Sequence, residues 1–227
     1  MTVSLIVVPK RLQETVDRCL PELNAVVRRL REPVELICVE DAACPSPPRA
    51  VAALEAAWPG VRLLSVDPPL GRSTLIEAAI AAATGDAICT VDGSGHYPAD
   101  EILRLLTRLV RLDAVFGYRR LGMLGRVATL GMRVLRRESA LRDPACLLWA
   151  ARREAVAGLP CDGCSQARMA AEIARRGFRV GQVRVEYRPE IAPLGRDRSA
   201  WAHRSANFEV AYRIREHLTP ARKRAAA

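Results

Sequence analysis

Lysine is nearly missing from this 227-residue chain: of 35 lysine and arginine residues only Lys10 and Lys223 are lysine, yet the net charge is +10. A cation set built of arginine suits planar, bidentate contact with phosphate. A compositional bias towards Ala and Arg on solvated helix faces produces the same count. Charge alone therefore points to anionic partners without choosing among nucleotide, lipid phosphate and nucleic acid. Aromatic residues are equally scarce, at 4%, and no nucleic-acid-binding module is recognisable, which leaves a nucleic-acid partner with little support. No apolar run approaches the ~20 residues that a membrane span needs. The first apolar stretch, Met1 to Val8, has neither a basic leader nor a small-residue cleavage pattern and reads as a strand. The expectation is a cytoplasmic protein, at most peripheral to the inner face of a membrane. There are seven cysteines, an odd number, several within apolar strand-like runs where a thiol packs as a small hydrophobe. A reducing compartment is the simpler reading. Cys161-Asp162-Gly163-Cys164 lacks a second cysteine pair and is weak as a zinc site.

What is present in quantity is apolar sequence, half of the chain, enough for one sizeable core. Short β-branched runs (Ser4 to Val8, Val34 to Val39, Val61 to Val66, Ala87 to Val91) alternate with helical spacing at Gln13 to Leu30, Arg49 to about Trp58, and Ser73 to Ala83. Strict β-α alternation predicts right-handed crossovers in a parallel sheet. Beyond it the pattern predicts a helix from Pro98, a strand at Ala114 to Gly117 and an Arg-studded helix from Gly122 to Arg137. Further on it predicts a helix at Gln166 to Arg176, a strand at Phe178 to Tyr187 and a last helix near Ala200 to His217. The Gly122 to Arg137 stretch fits either an interfacial helix or one packed on the sheet with an exposed basic face.

The stretch with most chemistry is Cys89-Thr90-Val91-Asp92-Gly93-Ser94-Gly95-His96-Tyr97-Pro98, where a buried strand stops at an acid. Ligands collect at the carboxyl ends of strands in such sheets. Lys10-Arg11, Glu40-Asp41 and Asp92 would emerge together at one sheet edge, carboxylates beside cations, which is a nucleotide site in outline.

The ordered set Ser4-Leu5-Ile6-Val7-Val8-Pro9, Ile37-Cys38-Val39-Glu40-Asp41, Gly71 through Thr84-Gly85-Asp86, and Val91-Asp92-Gly93-Ser94-Gly95-His96 resembles the inverting family-2 glycosyltransferases of GT-A fold. The likeness is greatest to the polyprenyl-phosphate (dolichol-phosphate) mannosyl- and glucosyltransferase branch. It runs on through Val115-Phe116-Gly117-Tyr118-Arg119, Asp143-Pro144-Ala145-Cys146 and Gly177-Phe178-Arg179-Val180 to Arg188 and Gly195-Arg196-Asp197-Arg198-Ser199. The resemblance implies an α/β, three-layer sandwich around a mostly parallel sheet, in one domain. Residues 1–96 would be its nucleotide-sugar half, 97–199 its acceptor half, and 200–227 a C-terminal helix and tail. It further implies transfer of a sugar, with inversion, from a nucleotide-sugar donor to polyprenyl phosphate or a small-molecule acceptor, assisted by Mg²⁺ or Mn²⁺. Donor contacts fall to Pro9, Lys10, Glu14, Glu40, Asp41, Gly71, Arg72, Asp92 and Ser94. Asp92 opens the metal-binding Asp-x-Asp element, with Ser94 and His96 completing the shell. Arg119, Arg188 and Arg196 offset phosphate charge. Asp92, His96 and, for a neutral acceptor, Asp162 as base are the catalytic candidates.

Departures from the family pattern accompany the likeness. Asp-x-Asp-x-Gln reads Asp92-Gly93-Ser94-Gly95-His96, so a carboxylate has become a hydroxyl, a poor Mg²⁺ ligand. His96 suits a softer metal, or serves as a cation towards the leaving diphosphate in place of one, or is a loop histidine with no role. Leu12-Gln13-Glu14 keeps the acid but not the Asn of an Asn-Glu pair, and Leu147-Leu148-Trp149 stands where Gly-Phe-Arg is usual. Three readings fit these changes: an active enzyme with altered metal use, an inactive relative that binds a ligand or partner, and an enzyme moving a different group.

Overall fold

Alternation along β1 (Val3–Val8) sends successive side chains to opposite faces of a sheet, and both faces are covered, so the whole strand is buried. Leu5 and Val7 pack with Leu20, Leu23, Leu54, Ile102 and Leu105 on one side. On the other, Ile6 and Val8 pack with Leu75, Ala79, Phe116, Trp149, Met169 and Ile173. This is the expected three-layer α/β arrangement. The computed structural model describes residues 1–9, 11–67, 72–120, 141–143, 146–159 and 166–188, with 72, 73 and 167 by backbone alone. Met1–Arg188 form one compact unit and Pro189–Ala227 a second. The second unit lies outside the described residues, as do the helices expected at Gly122 to Arg137 and Ala200 to His217.

In chain order the elements are β1, α1 (Leu12–Glu14), a π-helical turn (Thr15–Cys19), α2 (Leu20–Val27), β2 (Val34–Asp41), α3 (Pro48–Ala57), β3 (Arg62–Val66) and α4 (Arg72–Ala82). Then come β4 (Ala87–Asp92), α5 (Asp100–Arg108), β5 (Ala114–Tyr118), β6 (Trp149–Arg152), α6 (Arg153–Val156), α7 (Gln166–Arg175) and β7 (Val180–Arg184). Among the described residues, seven strands join in the order β3-β2-β1-β4-β6-β5-β7. All neighbours are parallel except β6, which runs antiparallel to both β4 and β5. Thr90 seals this insertion, donating its hydroxyl to the Leu147 carbonyl at 2.7 Å and accepting from the Trp149 N–H at 3.3 Å.

Two local differences from the sequence pattern matter for the site. The helix expected over Gln13 to Leu30 is interrupted by the π turn, because Pro21 in the first turn of α2 has no N–H to donate to the preceding turn. Leu20 N–H instead reaches back to the Thr15 carbonyl. The strands also run further than their apolar cores suggest: β2 includes Glu40 and Asp41, and β4 ends on Asp92. All three acids therefore lie within strands and not in loops.

Candidate functional site

Register places Asp92 opposite Val8, so β1 and β4 end side by side, with β2 next in line. The joint edge of strand ends expected from the sequence is thus formed. Gly93 makes the exit possible: a Cβ there would sit 2.5 Å from Thr15 Oγ1, 3.0 Å from Val7 Cγ1 and 3.1 Å from Pro9 Cα. Thr15, on the π turn, donates its hydroxyl to the Gly93 carbonyl at 2.9 Å. Gly95 then takes a left-handed φ of +76°, closing a tight turn with its N–H on the Asp92 carbonyl at 3.3 Å. Arg18, one turn along the helical segment, lies directly beside that glycine.

This turn folds Ser94 and His96 back onto Asp92. Ser94 donates its hydroxyl to Asp92 Oδ2 and meets His96 Nδ1 at 2.5 Å, while His96 Nδ1 lies 3.4 Å from the same carboxylate oxygen. A hydroxyl has one proton, so the donation to Asp92 makes Nδ1–H the donor towards Ser94. Among the described residues Nε2 has no hydrogen-bond partner. Tyr187 stacks on the imidazole with ring centroids 5.6 Å apart and planes at 13°. The Arg188 N–H donates to the His96 carbonyl at 2.8 Å, and the Arg188 guanidinium pairs with Glu22 at 2.7 Å. His96 is thereby held by its side chain, its ring face and its backbone at once.

Arg119, at the end of β5, lies over the Tyr187 ring at 5.1 Å and forms a two-pronged ion pair with buried Asp143, Nε to Oδ2 at 2.7 Å and Nη2 to Oδ1 at 3.0 Å. Burial would lower the Arg119 pKa, but the hydrogen bonds and charge of Asp143 more than offset it and keep the guanidinium charged. Beneath, the Tyr97 phenol is pushed well up by burial and then by the neighbouring Cys146 thiol. Two of the expected phosphate-binding arginines, Arg119 and Arg188, thus each hold a carboxylate partner. Among the described residues, the N–H groups of Arg119 that Asp143 does not take, and those of Arg188 that Glu22 does not take, remain for a ligand.

Among the described residues, the other expected donor positions have varied duties. Pro9 packs against Gly93. Glu14 is buried and 3.7 Å from Arg11. Glu40 accepts from the Ser46 N–H at 3.0 Å and the Ser65 hydroxyl at 3.5 Å, and Asp41 caps the Ala43 N–H at 2.8 Å, so both carboxylates organise the turn after β2. Arg72 is described by backbone alone, as the first residue of α4, while Lys10, Gly71, Asp162 and Arg196 lie outside the described residues. Tyr187, Asp143, Glu22 and Thr15 were not legible as site residues. Of these, Asp143 alone stood in a run that carries the family resemblance, Asp143-Pro144-Ala145-Cys146.

Comparison with known proteins sharpens this geometry. The sequence model of glycosyl transferase family 2 matches residues 5–139, more than half of the chain. The chain belongs to glycosyltransferase family 2. No curated protein matches the sequence. Among solved structures, the fold is similar to glucosyl-3-phosphoglycerate synthase of Mycobacterium tuberculosis in complex with Mn²⁺, UDP and phosphoglyceric acid. That match has TM-score 0.63 and 19% identity, over 95% of this chain and 78% of that one. The same enzyme with Mg²⁺ and UDP matches equally, at TM-score 0.63, 19% identity and the same coverage of 95% and 78%. Mannosyl-3-phosphoglycerate synthase of Rubrobacter xylanophilus matches at TM-score 0.64 and 14% identity, over 96% of this chain and 75% of that one. These likenesses establish the GT-A-like fold.

Metal-bound relatives raise the question of whether this family-2 chain can hold such an ion. Mg²⁺ and Mn²⁺ take octahedral shells of hard oxygen donors, anchored on carboxylates together with substrate phosphates. Here one carboxylate is on hand, and its Oδ2 already accepts the Ser94 hydroxyl and faces the His96 ring. Among the described residues no group of three His, Cys, Asp or Glu side chains is placed to hold a metal. The three expected ligands Asp92, Ser94 and His96 do come together, but bonded to one another, and as arranged they do not fit the ion. Nor, among the described residues, is any helix long and apolar enough to cross a membrane.

Proposed function

We propose that the protein transfers a glycosyl group, with inversion, from a nucleoside-diphosphate sugar to an acceptor that carries a phosphate. The observation that carries this reading is the position of Asp92: buried, ending β4 beside the end of β1, within the segment matched to glycosyltransferase family 2. The first half of the sheet supplies a donor cradle, with Pro9, Glu14, Glu40 and Asp41 at one edge. In the displacement an acceptor oxygen forms a bond to the anomeric carbon. The bond from that carbon to the diphosphate oxygen breaks, and its electron pair leaves on the nucleoside diphosphate. A phosphate oxygen of the acceptor needs no base, whereas a hydroxyl gives its proton to a carboxylate, for which Asp162 is the candidate. Cations at the leaving diphosphate favour the transition state most, since charge develops there. Among the described residues, His96 and the N–H groups of Arg119 and Arg188 that their carboxylate partners do not take are candidates.

The sequence resemblance implied a lipid phosphate as acceptor, with peripheral contact at a membrane, and the two named neighbours are synthases of phosphoglycerate glycosides. A phosphate monoester is the chemistry both share. A turnover screen of UDP-, GDP- and ADP-sugars against 3-phosphoglycerate and against polyprenyl phosphate in detergent separates the sources. Product with either acceptor supports the reading, and no product from any pair removes it. Nucleotide binding without turnover is the second reading, favoured by Ser94 in the place of a carboxylate. Thermal shift with the same nucleotides detects it, because a ligand at a hundred times its Kd adds about 2.7 kcal/mol of stability. Salt-sensitive binding of RNA or DNA, the remaining alternative, would show as a steep loss of affinity with added salt.

A further inference from the structure

The geometry points to Tyr187 as a positioning residue, whose ring sets the plane of the Arg119 guanidinium so that the open edge of that group meets the β-phosphate of the nucleoside diphosphate. This inference rests on the donor reading above and deepens it by naming what aims a cation at the leaving group. Asp143 takes Nε and Nη2 of Arg119 at 2.7 and 3.0 Å and, through the same carboxylate, the Arg119 backbone N–H at 3.1 Å. A guanidinium carries all its N–H groups in one plane. The carboxylate occupies the edge formed by Nε and Nη2, which leaves the edge formed by Nη1 and the second N–H of Nη2. Among the described residues that edge has no hydrogen-bond partner. Parallel N–H groups in a fixed plane match a pair of phosphate oxygens. A fork clamped along one edge can still hinge about it, and Tyr187 removes the hinge: Arg119 Cζ lies over its ring, 5.1 Å from the centroid.

The ring is itself held from several directions. It stacks on His96 at 5.6 Å and 13° and tilts against Tyr97 at 5.3 Å and 57°. Its chain neighbours are tied on both sides: Val185 N–H donates to the Tyr118 carbonyl at 3.0 Å, Glu186 N–H to Glu101 Oε1 at 3.0 Å and Arg188 N–H to the His96 carbonyl at 2.8 Å. Glu101 is buried and gripped in turn by Arg104 at 2.8 Å. A segment bonded through the N–H groups of Val185, Glu186 and Arg188 leaves Tyr187 no freedom to swing away. The placement also decides which phosphate is served. The ring under Arg119 faces His96, in the turn that leaves Asp92, so Arg119 stands beside the end of β4, where the donor diphosphate belongs in the reading above. None of these ring contacts uses the phenol hydroxyl, so the aromatic ring is the part that positions.

Calorimetric titration of the full chain with UDP, GDP and ADP and with the matching monophosphates, with and without Mn²⁺, tests this, because the ratio of the two affinities isolates the β-phosphate. The expected result is a diphosphate bound roughly tenfold more tightly than its monophosphate, as a charge-assisted contact allows. Equal affinities overturn the inference and leave the donor reading intact, and no binding of any nucleotide overturns both. Tyr187→Leu, or Tyr187→Met where the first does not keep native circular dichroism, is expected to weaken the diphosphate about tenfold and the monophosphate less than about threefold. Equal weakening of both marks a merely structural residue and overturns the inference. Tyr187→Phe is expected to keep the affinity of the natural chain, and a loss there assigns the effect to the hydroxyl, against the proposal. Arg119→Lys keeps the charge but loses the fork, and in that background Tyr187→Leu is expected to change diphosphate affinity less than about threefold. Additive losses would mean that Tyr187 does not act through Arg119.

Discussion

At the scale of single residues, the site depends on close approach and on paired charge. Gly93 leaves no room for a methyl group between Thr15, Val7 and Pro9. The Gly93→Ala chain should therefore lose about 1–3 kcal/mol, the usual cost of overpacking, in urea unfolding, and lose nucleotide binding with it. Asp143 is 3% exposed and Arg119 12%. Asp143→Ala would strand the arginine's charge and should cost about 3–5 kcal/mol in the same measurement, whereas replacing both by apolar residues should recover most of that loss. The two residues were unequally visible in the sequence. A glycine after a strand-terminal acid announces itself. An acid 24 positions from its arginine, joined to it only by tertiary structure, does not.

At the scale of elements, strands were easier to read than what ties them. β1, β2 and β4 follow from β-branched runs between turn residues, because burial on both faces demands continuous apolar sequence. The antiparallel entry of β6 between β4 and β5 left no periodic trace in four residues. A second tie joins β1 and β2 to the segment that leads into β4: Glu35 Oε1 accepts from Ser4 Oγ at 2.5 Å, Thr84 N–H at 2.5 Å and Gly85 N–H at 3.1 Å. Partial burial would raise the Glu35 pKa, but the hydrogen bonds from Ser4, Thr84 and Gly85 outweigh it and bring it down to about 2. A depressed carboxylate pKa gives stability that is complete above its unfolded value, about 4.3, and is lost as the pH falls towards 2. Glu35→Gln should therefore lower stability at pH 7 and flatten the acid limb between about pH 4.5 and 2, as followed by circular dichroism.

For the molecule as a whole, burial decides which thiols react. Burial pushes the Cys38, Cys89 and Cys146 thiols up to about 12 and raises Cys19 as well, whereas Cys44 is exposed in the turn after β2. Native-state alkylation read by mass spectrometry should label Cys44 ahead of those four, and urea should release them together. The sequence made this partition readable, since cysteines inside apolar runs are core residues. The fold class was readable for the same reason, through periodic burial summed over many residues. The site was readable only in its location, because the bonds that hold His96, from Arg188 N–H to its carbonyl and from Tyr187 to its ring, are made only by tertiary structure.

The reversed strand has a consequence for biosynthesis. β4 carries Asp92, yet one side of it stays unpaired until residues 149–152 arrive, long after its own synthesis. At about 5–20 residues per second a nascent chain exposes that apolar edge for several seconds, a template for mispairing. The strand that fills the gap between β4 and β5 is thus also the one that ends the exposure of that edge on the ribosome.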